Sequence, residues 1–378
     1  MTEAVQLLAE LLKINSVNPD LQPGAAGEGQ VALFVADWLK VNGFEVHWLE
    51  ATPGRPSVVG IARGAGGGRS LMFNGHLDTV GLLPFEGEPL EPVIRDGRMY
   101  GRGSFDMKSG LAAMLVAAKR AKSLRLRGDI LVACVADEEY ASIGTEEVAR
   151  RFSADAAIVT EPTHLDLTVA HKGFVWLDVV VHGRAAHGSR PELGIDAIAK
   201  MGKFLAALEQ YDKGLRSVES HPLLKHGSVH ASLISGGQEL SSYPAECRLS
   251  VERRTLPHET PEAVERELLE ILQRIAAEDS DFKYTLTRGF SRSPMEMSTN
   301  EPIIQIAKRQ VEAIAGKTPS YRGEPFWTDA AILKAAGIPA FLLGVDGAGA
   351  HAAVEYVELE SMEKLTQVLV ETAKEFCA

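Results

Sequence analysis

The sequence has few cysteines, few aromatic residues and no apolar run long enough to cross a bilayer. Its three cysteines, Cys134, Cys247 and Cys377, lie far apart and are odd in number. That fits neither a disulfide framework nor a thiolate zinc site, and it sets the expectation of a cytoplasmic protein. Residues 1–14 carry Glu3 and Glu10 and lack a basic stretch followed by a cleavable apolar segment, so no secretory signal is expected. Basic charge is also short: 39 Lys and Arg face 51 Asp and Glu, a formal net charge of -12. Nucleic acid and anionic membranes are therefore not expected partners, because both need a basic surface to displace counterions. Small polar substrates remain, and part of the negative charge is what clustered carboxylates awaiting cations would contribute.

What is present is a chain of 378 residues, 45% hydrophobic, which is enough for two domains. The first third alternates helix and strand patterns. A helix over 28–42 is stopped by Gly43, and strands follow over 44–49, 58–62 and 71–75. A helix over 107–122, a near-continuous apolar strand over 130–136, a helix over 144–152 and a strand over 156–160 complete it. This order predicts an α/β domain with a mostly parallel sheet covered on both faces. From residue 174 the pattern becomes strand 174–182, helix 192–209, strands 228–235 and 246–254, helix 261–277 and strand 282–287. That βαββαβ order is the ferredoxin-like arrangement. A helix over 302–315 and a short apolar strand over 338–344 suit the first domain again. The reading is thus a first domain built from 1–173 and 290–378, with 174–289 as an inserted α+β domain. The glycines at 64–68 precede a strand, so they read as a turn and not as a phosphate cradle. Ser104 lacks the Gly-x-Ser-x-Gly elbow of a serine hydrolase.

Five sites could carry chemistry. Strand 71–75 runs into His76 and Asp78, a His-x-Asp pair in which the carboxylate could hold the ring's second nitrogen; a surface pair is the plain alternative. Asp106 stands just before a helix, where it could cap the helix or bridge two cations. Asp137, Glu138 and Glu139 end the strand over 130–136, and three adjacent carboxylates repel one another unless something positive is near or water surrounds them. Glu161 ends the next strand, stopped by Pro162, and His351 follows the strand over 338–344 through a glycine-rich turn. All five fall just after predicted strands, and the crevice beyond strand carboxyl ends is where open α/β sheets bind ligands. Two imidazoles and three carboxylates suit two borderline-soft cations, zinc first, with cobalt or manganese as alternatives. Magnesium would favour an all-oxygen site.

With these residues in hand, the chain resembles the M20 peptidases, and among them the acetylornithine deacetylase and succinyl-diaminopimelate desuccinylase branch. The matching stretches are 75–80 around His76, 101–108 around Asp106, 137–139, 161–163 and 350–351. The resemblance implies a hydrolase of linear amides with two metal ions. Asp106 would bridge them, His76 and Glu161 would complete one shell, and Glu139 and His351 the other. Asp78 would orient His76 and Glu138 would be the general base. The resemblance also implies that the inserted domain is a lid through which the protein forms a homodimer. His187, in the Arg184–Ser189 stretch, would then stabilise an oxyanion, and Arg254 would bind the substrate carboxylate, with Arg253 as the rival one residue away. Lys172 and Gly173 resemble the hinge junction. The implied substrate is an N-acyl amino acid, acetylornithine first, with the desuccinylase, aminoacylase, and dipeptidase or carboxypeptidase activities as alternatives. A two-metal phosphoesterase and a non-catalytic binding protein are the readings from other classes. The sequence departs from the family pattern at Ser241–Pro244, at Gly344–Gly347 and at Val354.

Overall fold

A computed structural model describes all 378 residues, which divide into two compact units. The first comprises Met1–Val169, Met297–Arg322 and Thr328–Ala378; the second comprises Ala170–Glu296 and Gly323–Trp327.

The first unit is built on a sheet ordered Glu45–Leu49, Ser57–Ala62, Ile130–Val135, Leu71–His76, Ala156–Val159, Ala340–Leu342, Leu167–His171. The four strands from Ile130–Val135 to Ala340–Leu342 run parallel, and the strands on either side of them are antiparallel. Every residue of Ser57–Ala62, Leu71–His76 and Ile130–Val135 is buried, because helices must cover both faces of a parallel sheet. Helices Glu3–Leu12, Lys108–Ser123, Pro302–Ala315 and Leu359–Phe376 pack on one another, while Gly29–Val41 and Ile143–Arg151 pack against strands. Gly43 ends its helix in the left-handed region, as its position predicts. All three cysteines are buried and unpaired. No helix is long and apolar enough to cross a membrane.

The second unit holds a four-stranded antiparallel sheet in the order Ser228–Gly236, Glu246–Thr255, Gly173–His182, Lys283–Arg292. In chain order this is 2-3-1-4, the split βαβ arrangement that the strand and helix pattern predicts. Val175, Leu177, Val179 and Val181 alternate onto the face covered by helices Ala197–Arg216 and Pro261–Glu278, where they meet Phe204, Leu208, Leu268 and Leu272. The helix expected over 192–209 instead runs Ala197–Arg216. Asp196 takes the cap by accepting the Ala199 N–H, and Arg184 and Ile195 exchange backbone hydrogen bonds that hold residues before it in an extended segment. The last strand also extends beyond residue 287, to Arg292, through a bulge between Arg288 and Ser291.

Candidate metal centre

His76 is the last residue of the central strand Leu71–His76 and is 1% exposed. Its Nδ1–H donates to the Asp78 carbonyl oxygen at 2.9 Å, which fixes the tautomer and turns Nε2 outward. Nε2 lies 3.2 Å from Asp106 Oδ1 and 3.6 Å from Glu161 Oε1. The Asp78 carboxylate has other partners: it accepts the backbone N–H groups of Glu138 and Glu139, each at 3.2 Å, and the Asn18 amide at 2.8 Å. Asp78 thus holds His76 through its carbonyl and the acidic turn through its side chain.

That turn leaves the strand Ile130–Val135 with Asp137 in the left-handed region, φ 70°. Asp137 is buried, and its Oδ1 accepts from Arg55 Nη2 at 2.7 Å and from Asn18 at 3.0 Å. Arg55 also donates to both oxygens of Glu28, at 2.7 and 2.8 Å. A buried charge is tolerable only when paired, so Arg55 compensates Glu28 and Asp137 together and pins the turn from behind. Glu138 and Glu139 are then delivered to the same side as His76.

Asp106 does not cap the helix Lys108–Ser123; Met107 occupies that position, and the helix has no side-chain cap. The Asp106 carboxylate instead stands between two imidazoles, its Oδ1 near His76 and its Oδ2 3.3 Å from His351 Nε2. His351 Nε2 is also 3.1 Å from Glu139 Oε2. The turn carrying His351 is tight. Gly349 has φ 90°, and a Cβ there would lie 1.8 Å from the Val354 carbonyl oxygen, so no other residue fits.

The electrostatics of this pocket lean one way at every group but Asp106. Burial pushes the Glu138 and Glu161 carboxyls well above the usual range, and neighbouring carboxylates push them further; Glu139 is raised by burial and by Asp106. For His76, burial opposes protonation, but Asp106, Glu161 and Asp78 outweigh it and raise the imidazole. His351 is pushed up to about 10 by Asp106 and Glu139. Asp106 resists its own burial because His351 and His76 both bond it, and it is lowered. The pocket carries more negative charge than its histidines neutralise and calls for added positive charge.

Glu139 Oε1 is buried without a hydrogen-bond partner, as expected of an oxygen meant for a cation. His76, Asp106 and Glu139 offer ligand atoms within 4.8 Å of one another, and so do His76, Glu138 and Glu161. Nitrogen and carboxylate donors in this number fit divalent cations of the zinc type.

The remaining expected residues belong to the second unit. Arg253 is fully buried and committed to Glu259 and Tyr211, whereas the Arg254 side chain is 31% exposed, bonded to Glu252 at 2.7 Å and stacked over Phe174. Between the two, Arg254 is the one free to meet a solute. His187 is exposed, with Nδ1 2.8 Å from Ser189 Oγ.

Sequence reasoning passed over Asn18, Glu28, Arg55, Glu355 and Asp329. Asp329 is 1% exposed, accepts the Thr145 hydroxyl at 2.7 Å and is pushed up to about 6, by burial above all. It stands just before the short helix Ala330–Ala335, where its side chain makes no cap bond.

Peptidase family M20/M25/M40 matches residues 72–375. The chain belongs to this family. It is a metal-dependent hydrolase of the amidohydrolase and peptidase type, and the M20 fold is met again in solved structures. The aminopeptidase PepT from Bacillus cereus superposes with a TM-score of 0.83 at 20% identity, covering 100% of this chain and 98% of that one. Among curated relatives, the N-formyl-4-amino-5-aminomethyl-2-methylpyrimidine deformylase of Bacillus subtilis is 28% identical, over 100% of this chain and 95% of that protein. The acetylornithine deacetylase of Myxococcus xanthus is 29% identical, over 85% of this chain and 84% of that protein. These two relatives are named for different substrates.

Proposed function

We propose that this M20 hydrolase cleaves the amide bond of an N-acyl amino acid, with acetylornithine the first candidate. The observation that carries the reaction type is the convergence of His76, Asp106, Glu139, Glu161 and His351 on one overcharged acidic pocket at the carboxyl ends of parallel strands. Asp106 would be shared by two divalent cations, zinc first, with cobalt or manganese as alternatives. His76 and Glu161 would complete one set of ligands, and Glu139 and His351 the other. When bound, such a pair supplies Lewis acidity that acidifies water and polarises a carbonyl.

The protein's own groups do the rest. Glu138 takes a proton from the attacking water and returns it to the departing nitrogen, so that the amide becomes a carboxylate and an amine. Arg254 pairs with the substrate carboxylate, and His187 donates to the oxygen on which charge develops. The choice of substrate is supported by the likeness of residues 161–165 and 170–173 to the acetylornithine deacetylase branch and by the deacetylase relative. A panel of N-acetyl, N-succinyl and N-formyl substrates with unblocked dipeptides is expected to favour N-acetyl amino acids by on the order of tenfold or more in kcat/KM. Preference for a dipeptide or an N-formyl amine would move the assignment to that class, and phosphate-ester turnover above amide turnover would remove it from amides altogether.

The second unit is proposed as a lid that also forms a homodimer. Its edge strand Ser228–Gly236 is paired on one side only and exposes Leu233 and Ile234 at 72% and 56%. An unpaired apolar edge invites a second copy. Sedimentation is expected to show a dimer, and His187→Ala is expected to lower kcat about 10²- to 10³-fold, the usual cost of a lost oxyanion donor. A fully active monomer would rule out a His187 supplied by a partner subunit.

A further inference from the structure

Asp106 and His351 sit on loops far apart in sequence, and one buried carboxylate joins those loops. Glu355 is 1% exposed and lies four positions after His351, just before the strand Tyr356–Glu358. That strand pairs antiparallel with Arg98–Tyr100, with Tyr356 opposite Tyr100, so Glu355 enters beside the turn that leads to Asp106. Its Oε1 accepts the backbone N–H groups of Phe105 at 3.0 Å and of Asp106 itself at 3.1 Å. Its Oε2 accepts the Gly103 N–H at 3.0 Å and Arg102 Nη1 at 2.8 Å. Arg102, 2% exposed, is held in turn by the Gly81 and Pro84 carbonyls at 3.0 and 3.2 Å.

Four donors on one carboxylate explain why it stays buried among other acids. The Arg102 charge compensates it, and three backbone N–H groups stabilise its ionised form. Beyond the strand pairing, they make this side chain the direct tie between the segment after His351 and the Asp106 backbone. Glu355 touches neither imidazole nor any reacting atom; it acts through the placement of Asp106.

We infer that Glu355 is a positioning residue that sets the spacing of Asp106 and His351 and thereby governs the cation held by Asp106, Glu139 and His351. This rests on the two-cation reading above. The other cation shares Asp106 but also draws on His76 and Glu161, which are anchored to the central strands Leu71–His76 and Ala156–Val159 and have no bond to Glu355. Loss of Glu355 therefore weakens the cation held with His351 and Glu139 more than the other.

The test is a cobalt(II) titration of the metal-free protein, followed by visible absorption and calorimetry, with circular dichroism as a check of fold. The unaltered protein is expected to take up two ions. Glu355→Gln replaces one acceptor oxygen with an NH₂ group that faces N–H donors, and it is expected to weaken one ion about 10- to 100-fold and the other clearly less. Arg102→Gln removes the ion pair but leaves the three backbone bonds, so its second ion is expected to weaken less. Should Glu355→Ala fail to fold, these two polar variants still decide the matter. Normal binding of both ions by Glu355→Gln, equal weakening of both with an intact fold, or a larger effect from Arg102→Gln would each overturn the inference. Uptake of fewer than two ions by the unaltered protein would be a separate result that removes the two-cation reading itself.

Discussion

Replacing Glu138 by Gln is expected to lower kcat about 10²- to 10⁴-fold while leaving bound metal unchanged. The substitution keeps the size of the side chain and removes its capacity to accept a proton from water. The backbone cannot be blamed for the loss, because the Asp78 carboxylate, Asn18 and the Arg55–Glu28–Asp137 cluster fix the turn independently of the Glu138 side chain. Metal content is the discriminating measurement. Glu138 stands within ligand distance of His76 and Glu161 as well, so metal lost in step with activity would recast it as a ligand. Unchanged activity would remove the base assignment.

Chelation is expected to abolish turnover and lower the Tm, with both restored by added zinc. The carboxyls of Glu138, Glu139 and Glu161 are buried against one another, and their raised affinity for protons measures how poorly the pocket tolerates its own charge. A cation present at about a thousand times its Kd stabilises the folded state by about 4 kcal/mol. At about 1–2 °C per kcal/mol for a chain of this size, that is a shift of about 4–8 °C. Metal-free protein with full turnover and an unshifted Tm would contradict the proposal at its root.

The strand-end positions of His76, Glu139 and Glu161 were legible because parallel strands read as short apolar runs, and the charged residues just beyond each run mark the sheet's edge. The ferredoxin-like order of the second unit was legible for a related reason: its strands alternate and its helices do not. Asp106 was ambiguous, since a carboxylate before a helix is usually a cap. The residues that hold the site in shape were invisible. Arg55 meets Asp137, and Glu355 meets Gly103, only after the chain has folded, and nothing local distinguishes either from a solvated surface charge. The boundary of the helix Ala197–Arg216 was misplaced because its start is set by backbone pairing between Arg184 and Ile195, a contact that residue periodicity does not carry.

The strand Ala340–Leu342 lies between Ala156–Val159 and Leu167–His171, so the gap it fills stays open until the whole second unit has been synthesised. A nascent chain that folded before then would leave the inner edge of Ala156–Val159 bare and able to capture a foreign strand. Chains cut short after the second unit would be sticky as well as inactive, because the same late segment that brings His351 also seals the sheet.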